Sequence, residues 1–140
     1  MNETTIRSAT ADDLPAIRDV FRRASLSNEG DRVWLEAHPD EFGLDEANVV
    51  AGRTSVAVVD GQIVGFATLV GSELEDLFTD PDWMRQGIAT ALVRDLAATV
   101  PRIDLTANPH AVAFYQSVGF VPGGTVETSG GAAYRMHLDC

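Results

Sequence analysis

The chain has no lysine; all ten of its basic residues are arginine. A P-loop nucleotide site is therefore excluded, because its G-x-x-x-x-G-K-[ST] run needs a lysine on the phosphates. G-x-G-x-x-G is missing as well, which argues against a dinucleotide site of the Rossmann kind. The one cysteine, Cys140, is the last residue, so no intrachain disulfide can form and no Cys/His metal spacing exists. No stretch approaches the roughly 18 apolar residues that a membrane-crossing helix needs. The opening MNETTIRSAT also lacks a basic flank followed by an apolar core. These absences predict a cytoplasmic protein with no bound metal and no membrane contact.

What is present fits one domain. With 140 residues and 45% hydrophobic content, the chain can bury a core of ordinary size. Its net charge of −11 disfavours nonspecific binding to nucleic acid or anionic membrane. A small anionic ligand is still admissible if backbone amides and a few arginines hold it, and a cationic second substrate would be drawn to the acidic surface. Solubility alone would explain the same charge.

Taken in order, Thr5 to Arg7 reads as a strand, and Thr10-Ala-Asp-Asp13 resembles a helix start. Leu14, Ile17, Val20 and Phe21 then share one face of a helix from about Ala11 to Ala24. A second helix is expected over Asp31 to Ala37, ended by His38-Pro39, and Asp40 to Arg53 reads as a loop with at most a helical turn. Thr54 to Val59 and Gln62 to Val70 form a hairpin through Asp60-Gly61. Along Ser72 to Thr79, Leu74 and Leu77 stand an odd number of residues apart. Strict alternation would separate them onto opposite faces, so a bulge near Glu75-Asp76 is predicted. A helix from Gly87 to about Ala98, a strand over Arg102 to Thr106, and a helix capped by Asn108 with Pro109 at its first position come next. Phe120-Val121 and Ala133 to Leu138 read as closing strands around a hairpin rich in glycine, with Gly123-Gly124 and Gly130-Gly131.

The stretch from Leu77 to Leu92, LFTDPDWMRQGIATAL, organises the rest. A strand ends, Asp80-Pro81 breaks the chain, and a helix opens at a glycine. Such an opening presents unpaired N–H groups and the positive end of the helix dipole, which suits phosphate.

Two segments resemble the GNAT family of acyl-CoA-dependent N-acetyltransferases. Asp80 to Leu92 is similar to the family's phosphate-binding signature, glutamine or arginine followed by x-x-G-x-G/A, except that Met84 holds its first position. Asn108-x-x-Ala111-x-x-Phe114-Tyr115-x-x-x-Gly119-Phe120 matches the second motif at every marked position. The resemblance implies a mixed, mainly antiparallel α/β sheet of six or seven strands, with splayed central strands and about four flanking helices. It covers nearly the whole chain apart from Ser25 to Arg53, the region that shapes the acceptor site in the family.

By that resemblance the activity is acetyl transfer from acetyl-CoA, as co-substrate, to a primary amine of a small molecule or a protein. Attack would be direct, since Cys140 is terminal and far from the motif. Backbone groups of Leu77, Phe78 and Thr79, facing Leu105 to Ala107, would hold the pantetheine arm, with an N–H near Phe78 on the thioester oxygen. Arg85, Gln86, Gly87, Ile88, Ala89 and Thr90 would hold the diphosphate, and Asn108 would complete the coenzyme site. Tyr115 would donate to the departing thiolate; read from its apolar face alone, it would be a core tyrosine. Glu73 is the first candidate for the base and Glu75, which also faces the acceptor, the second; both could be solvated acids. Trp34 is either a wall of the acceptor pocket or a core anchor. His38, His110 and His137 are scattered and read as structural or exposed. A non-catalytic acyl-CoA sensor is the rival, with Met84 its one supporting departure. Homodimers are common in the family, and the sequence leaves that open.

Overall fold

A computed structural model describes residues 3–27, 46–128 and 131–140. The expected helix over Asp31 to Ala37, with Trp34 and His38, lies outside the described residues. The described strands are β1 (Thr5–Ser8), β2 (Thr54–Val59), β3 (Gln62–Val70), β4 (Glu73–Thr79), β5 (Arg102–Ala107), β6 (Val121–Thr128) and β7 (Gly131–Asp139). The described α-helices are α1 (Leu14–Ser27), α2 (Glu46–Val50), α3 (Ile88–Ala97) and α4 (Val112–Ser117).

All seven strands join one sheet in the order β1-β2-β3-β4-β5-β7-β6. Every neighbouring pair is antiparallel except β4 and β5. The β2–β3 turn uses Asp60 at φ 52° and Gly61 at φ 77°, both left-handed as a tight two-residue hairpin requires.

The near-continuous apolar runs of β2 and β3 follow from burial on both faces. Val56 and Phe66 face α1, whose Ile17 and Val20 complete that cluster, while Ala57 and Ala67 face α3 with Leu92, Val93 and Leu96. Thr54 and Thr68, opposite each other and buried, satisfy one another through a 2.8 Å hydroxyl contact.

Leu74 and Leu77 both pack into the α3-side core. The β3–β4 register makes this possible by skipping Glu75, since Thr68 pairs with Asp76 and Leu69 with Leu74. The bulge reverses the parity of the strand and returns both leucines to one face.

Three expectations need adjusting. Residues Ala11–Asp13 form a 3-10 turn, and the α-helix begins at Leu14. Asn108 makes no side-chain cap; Pro109–Ala111 is again a 3-10 turn, in which Ala111 N–H donates to the Asn108 carbonyl at 2.9 Å. Gly123-Gly124 is not the closing turn but a register shift inside β6, where Gly124 takes φ 139°, a value open to glycine.

Candidate active site

The central feature is a gap in the sheet. β4 and β5 share one register position, Glu73 opposite Asp104, with the Asp104 amide donating to the Ser72 carbonyl at 2.7 Å. Beyond that rung the strands part. Asp80 N–H donates to Val64 O, so alternation turns the Phe78 amide toward β3 as well and leaves those of Leu77 and Thr79 facing the gap. On the other side, Cys140 N–H donates to Pro101 O, which puts the Leu105 and Ala107 amides on β7 and that of Thr106 in the gap. The N–H groups on either side of Phe78 are therefore the open ones. The Phe78 ring anchors the strand beneath α1, stacked on Phe66 at 5.4 Å and met edge-on by Phe21 at 5.0 Å.

At the far end of β4 the chain enters the glycine loop. Asp80 is buried and caps the turn Pro81–Trp83, accepting from Asp82 N–H at 2.9 Å. Arg85 at φ 63° and Gly87 at φ 81° then take left-handed backbone on either side of Gln86. For arginine this conformation costs about 1 kcal/mol. The conformation folds successive amides inward, a concavity that suits anions. The first intrahelical bond of α3 runs from Ala91 N–H to Gly87 O at 2.9 Å, so the amides of Ile88, Ala89 and Thr90 precede the ladder, and the N-cap Gly87 has no side chain to cap them. Met84 to Gly87 are exposed, and Met84 contributes extended backbone to the approach.

Gly65 lets this helix start lie close on the sheet. A Cβ at that position would stand 2.8 Å from Ile88 Cγ2 and 3.0 Å from the Phe78 carbonyl. Sequence reading overlooked it, although a lone glycine in a strand interior signals close approach.

Tyr115 sits on the α3 side of the sheet, edge-on to Phe114 at 5.3 Å and to Phe120 at 5.4 Å. Burial pushes its phenol up to about 12, so it stays neutral across ordinary pH. Its hydroxyl makes no hydrogen bond among the described residues.

The glutamates are arranged differently. Glu73 alternates with Leu74 and so projects on the α1 side, where Arg135 of β7 takes both its carboxylate oxygens, at 2.5 and 3.0 Å. The same guanidinium donates to Thr106 Oγ1 at 2.9 Å and thereby ties β4, β5 and β7 together where the gap begins. Asp104, beside it, is held below the usual carboxylate range, chiefly by the Arg102 guanidinium and then by Ser72. Glu75, at the bulge, is exposed and adds to the negative field on Arg135. The tyrosine and the glutamates thus lie on opposite sides of the sheet. Arg135 escaped the sequence reading because a side chain on β7 meets one on β4 only through the strand order.

Among the described residues no group of His, Cys, Asp and Glu could hold a metal ion, and no helix is long and apolar enough to cross a membrane.

Comparison with known proteins places the fold. A family model described as an acetyltransferase (GNAT) domain matches residues 23–139. The uncharacterized N-acetyltransferase YafP of Escherichia coli strain K12 is 27% identical over 125 residues, which are 86% of this chain and 83% of that protein. The solution structure of apo YjaB from Escherichia coli shares the fold with a TM-score of 0.81 at 24% identity, covering 96% of this chain and 97% of that one. The PaiA N-acetyltransferase from Thermoplasma acidophilum, solved with coenzyme A, has a TM-score of 0.73 at 17% identity, covering 99% of both.

Proposed function

Since the chain belongs to the GNAT acetyltransferase family, we propose that it moves an acetyl group from acetyl-CoA to a primary amine by direct attack, with no covalent enzyme intermediate. The observation that carries this reading is the single rung between β4 and β5, which leaves the Leu77, Thr79 and Thr106 amides facing an open gap that ends near uncapped helix amides. Acetyl-CoA supplies an activated acetyl group as a thioester. The amides of Arg85 to Thr90 take the diphosphate, Asn108 completes the coenzyme site, and the gap amides hold the pantetheine arm.

In the transfer, the amine nitrogen bonds to the acetyl carbon and the carbon–sulfur bond breaks with its electron pair on sulfur. The nitrogen gives up a proton and the sulfur takes one. A gap amide beside Phe78 donates to the acyl oxygen as charge develops there, and one such donor is worth about 3 kcal/mol. Tyr115 donates a hydrogen bond to the departing sulfur, whose proton comes from solvent. Raised to about 12 against an ordinary thiol value near 8.5, it acts by hydrogen bonding and keeps its proton.

A protonated alkylamine must lose a proton before it can attack. Glu73, first choice from the sequence, gives both oxygens to Arg135, whereas Glu75 keeps its lone pairs in solvent. We assign proton acceptance to Glu75, through water, and bracing of the gap to Glu73. The acceptor is a primary amine on a small molecule or a protein, with cationic character favoured by the net charge of −11.

The test is thiol release from acetyl-CoA in the presence of a broad panel of primary amines. Release that depends on the amine supports the reading. Calorimetric coenzyme binding with no release for any amine would leave a sensor in its place.

A further inference from the structure

Arg23 reaches from α1 to the start of the glycine loop and grips two carboxylates there. Its guanidinium donates to Asp80 Oδ2 at 2.6 Å and to Asp82 Oδ2 at 2.8 Å. Asp80 is 1% exposed, and a carboxylate so deeply placed needs a paired cation. It is also the fixed point of the turn, since its N–H donates to Val64 O at 2.8 Å, its carbonyl accepts from Trp83 N–H at 2.8 Å, and its side chain caps Asp82. Asp82, by contrast, is largely exposed and stands two residues before Met84.

Two negative charges at the root of a loop meant for an anion pose an electrostatic problem. Carboxylates at the entry to the loop repel a diphosphate held by its amides, while an adjacent guanidinium offsets them. Asp19 also lies 4.0 Å from the guanidinium, so the surroundings of Arg23 are otherwise acidic. The pair spans 57 residues of chain, and no local pattern in the sequence announces it.

We propose that Arg23 is a positioning residue for the coenzyme diphosphate: it fixes the Asp80–Trp83 turn that aims the loop amides, and it neutralises the carboxylates that would otherwise repel the ligand. The inference rests on the acetyl-CoA reading above. It adds a contribution from α1 to a site otherwise built from β4, β5 and α3.

The test compares two donors, acetyl-CoA and S-acetylpantetheine, which carries the same thioester but no diphosphate. For Arg23→Met, KM for acetyl-CoA and Kd for coenzyme A should rise about 3- to 10-fold at low salt, with the difference shrinking as salt is added. Values of kcat, and kcat/KM for S-acetylpantetheine, should stay within about twofold, since neither the thioester nor the amine meets Arg23. Arg23→Lys should restore most of the affinity, and adding Asp82→Asn to Arg23→Met should recover part of it. If both donors suffer alike, or coenzyme affinity does not move, the proposal is overturned. Should Arg23→Met fail to fold in a thermal melt, Asp82→Asn alone decides: tighter coenzyme A binding supports the electrostatic role and unchanged binding overturns it. Wild-type turnover tests the enzymatic reading separately, and the Kd comparison remains readable even if no acceptor is found.

Discussion

Arg135 on β7 and Glu73 on β4 are joined by two parallel hydrogen bonds across the intervening strand β5. A bidentate pair of this kind fixes geometry as well as charge, and here it sits where the sheet begins to part. Glu75→Gln should lower kcat about 10²-fold with little change in acetyl-CoA KM, as expected for loss of a proton acceptor. Glu73→Gln should instead lower the melting temperature and raise acyl-donor KM while leaving kcat within a few-fold. A kcat lowered about 10²-fold by Glu73→Gln and untouched by Glu75→Gln would return the base to Glu73.

Tyr115→Phe should reduce kcat about 10- to 100-fold with little change in coenzyme Kd. Because burial raises the phenol to about 12, the neutral donor persists well beyond its ordinary value near 10. The ratio of wild-type to variant rate should therefore stay flat from neutral pH to about pH 10, as paired pH–rate curves would reveal. A ratio near one at every pH would remove the tyrosine from the reaction, and a ratio that falls only as the pH approaches about 10 would mean that the phenol is not raised.

Gly65→Ala places a methyl group 2.8 Å from Ile88 Cγ2 and 3.0 Å from a backbone carbonyl. The cost should be about 1–3 kcal/mol of stability from overpacking. Since Ile88 opens α3, coenzyme affinity should weaken in step, which calorimetry and chemical denaturation together would measure.

The Asp13 carboxylate accepts from the Arg7 guanidinium at 2.8 and 3.0 Å and from Thr10 N–H at 2.8 Å. Chiefly through the Arg7 hydrogen bond, its pKa falls from 3.8 to about 2. A carboxyl lowered by folding stabilises the native state above its unfolded value and loses that effect as pH falls toward the folded one. Asp13→Asn should thus cost about 1 kcal/mol at neutral pH, and the difference from wild type should vanish in melts taken between pH 4 and about pH 2.

Much of the site was legible because it depends on backbone. The odd spacing of Leu74 and Leu77 located the bulge, and Gly87 marked a helix opening that the structure finds uncapped. Asp60-Gly61 fixed a hairpin through its local dihedral preference. What escaped depends on strand order. Arg135 reaches Glu73 because β7 inserts beside β5, and Arg23 reaches Asp80 because α1 crosses β4, relationships with no local periodicity. The Gly123-Gly124 pair misled for a related reason: glycine permits positive φ in a turn and in a bulge alike, and only the register with Met136 and Arg135 separates the two.

A seven-stranded sheet joined at one rung along its middle amounts to two plates with a common spine. The plate of β1 to β4 and the plate of β5, β7 and β6 each keep their own ladders, so backbone bonding transmits little strain between them. A ligand laid along the seam would supply the missing rungs, and the amides of Leu77, Thr79 and Thr106 should pass from rapid to slow hydrogen exchange when it arrives. The stiffness of the whole molecule would then be borrowed from its own substrate and returned with each product that leaves.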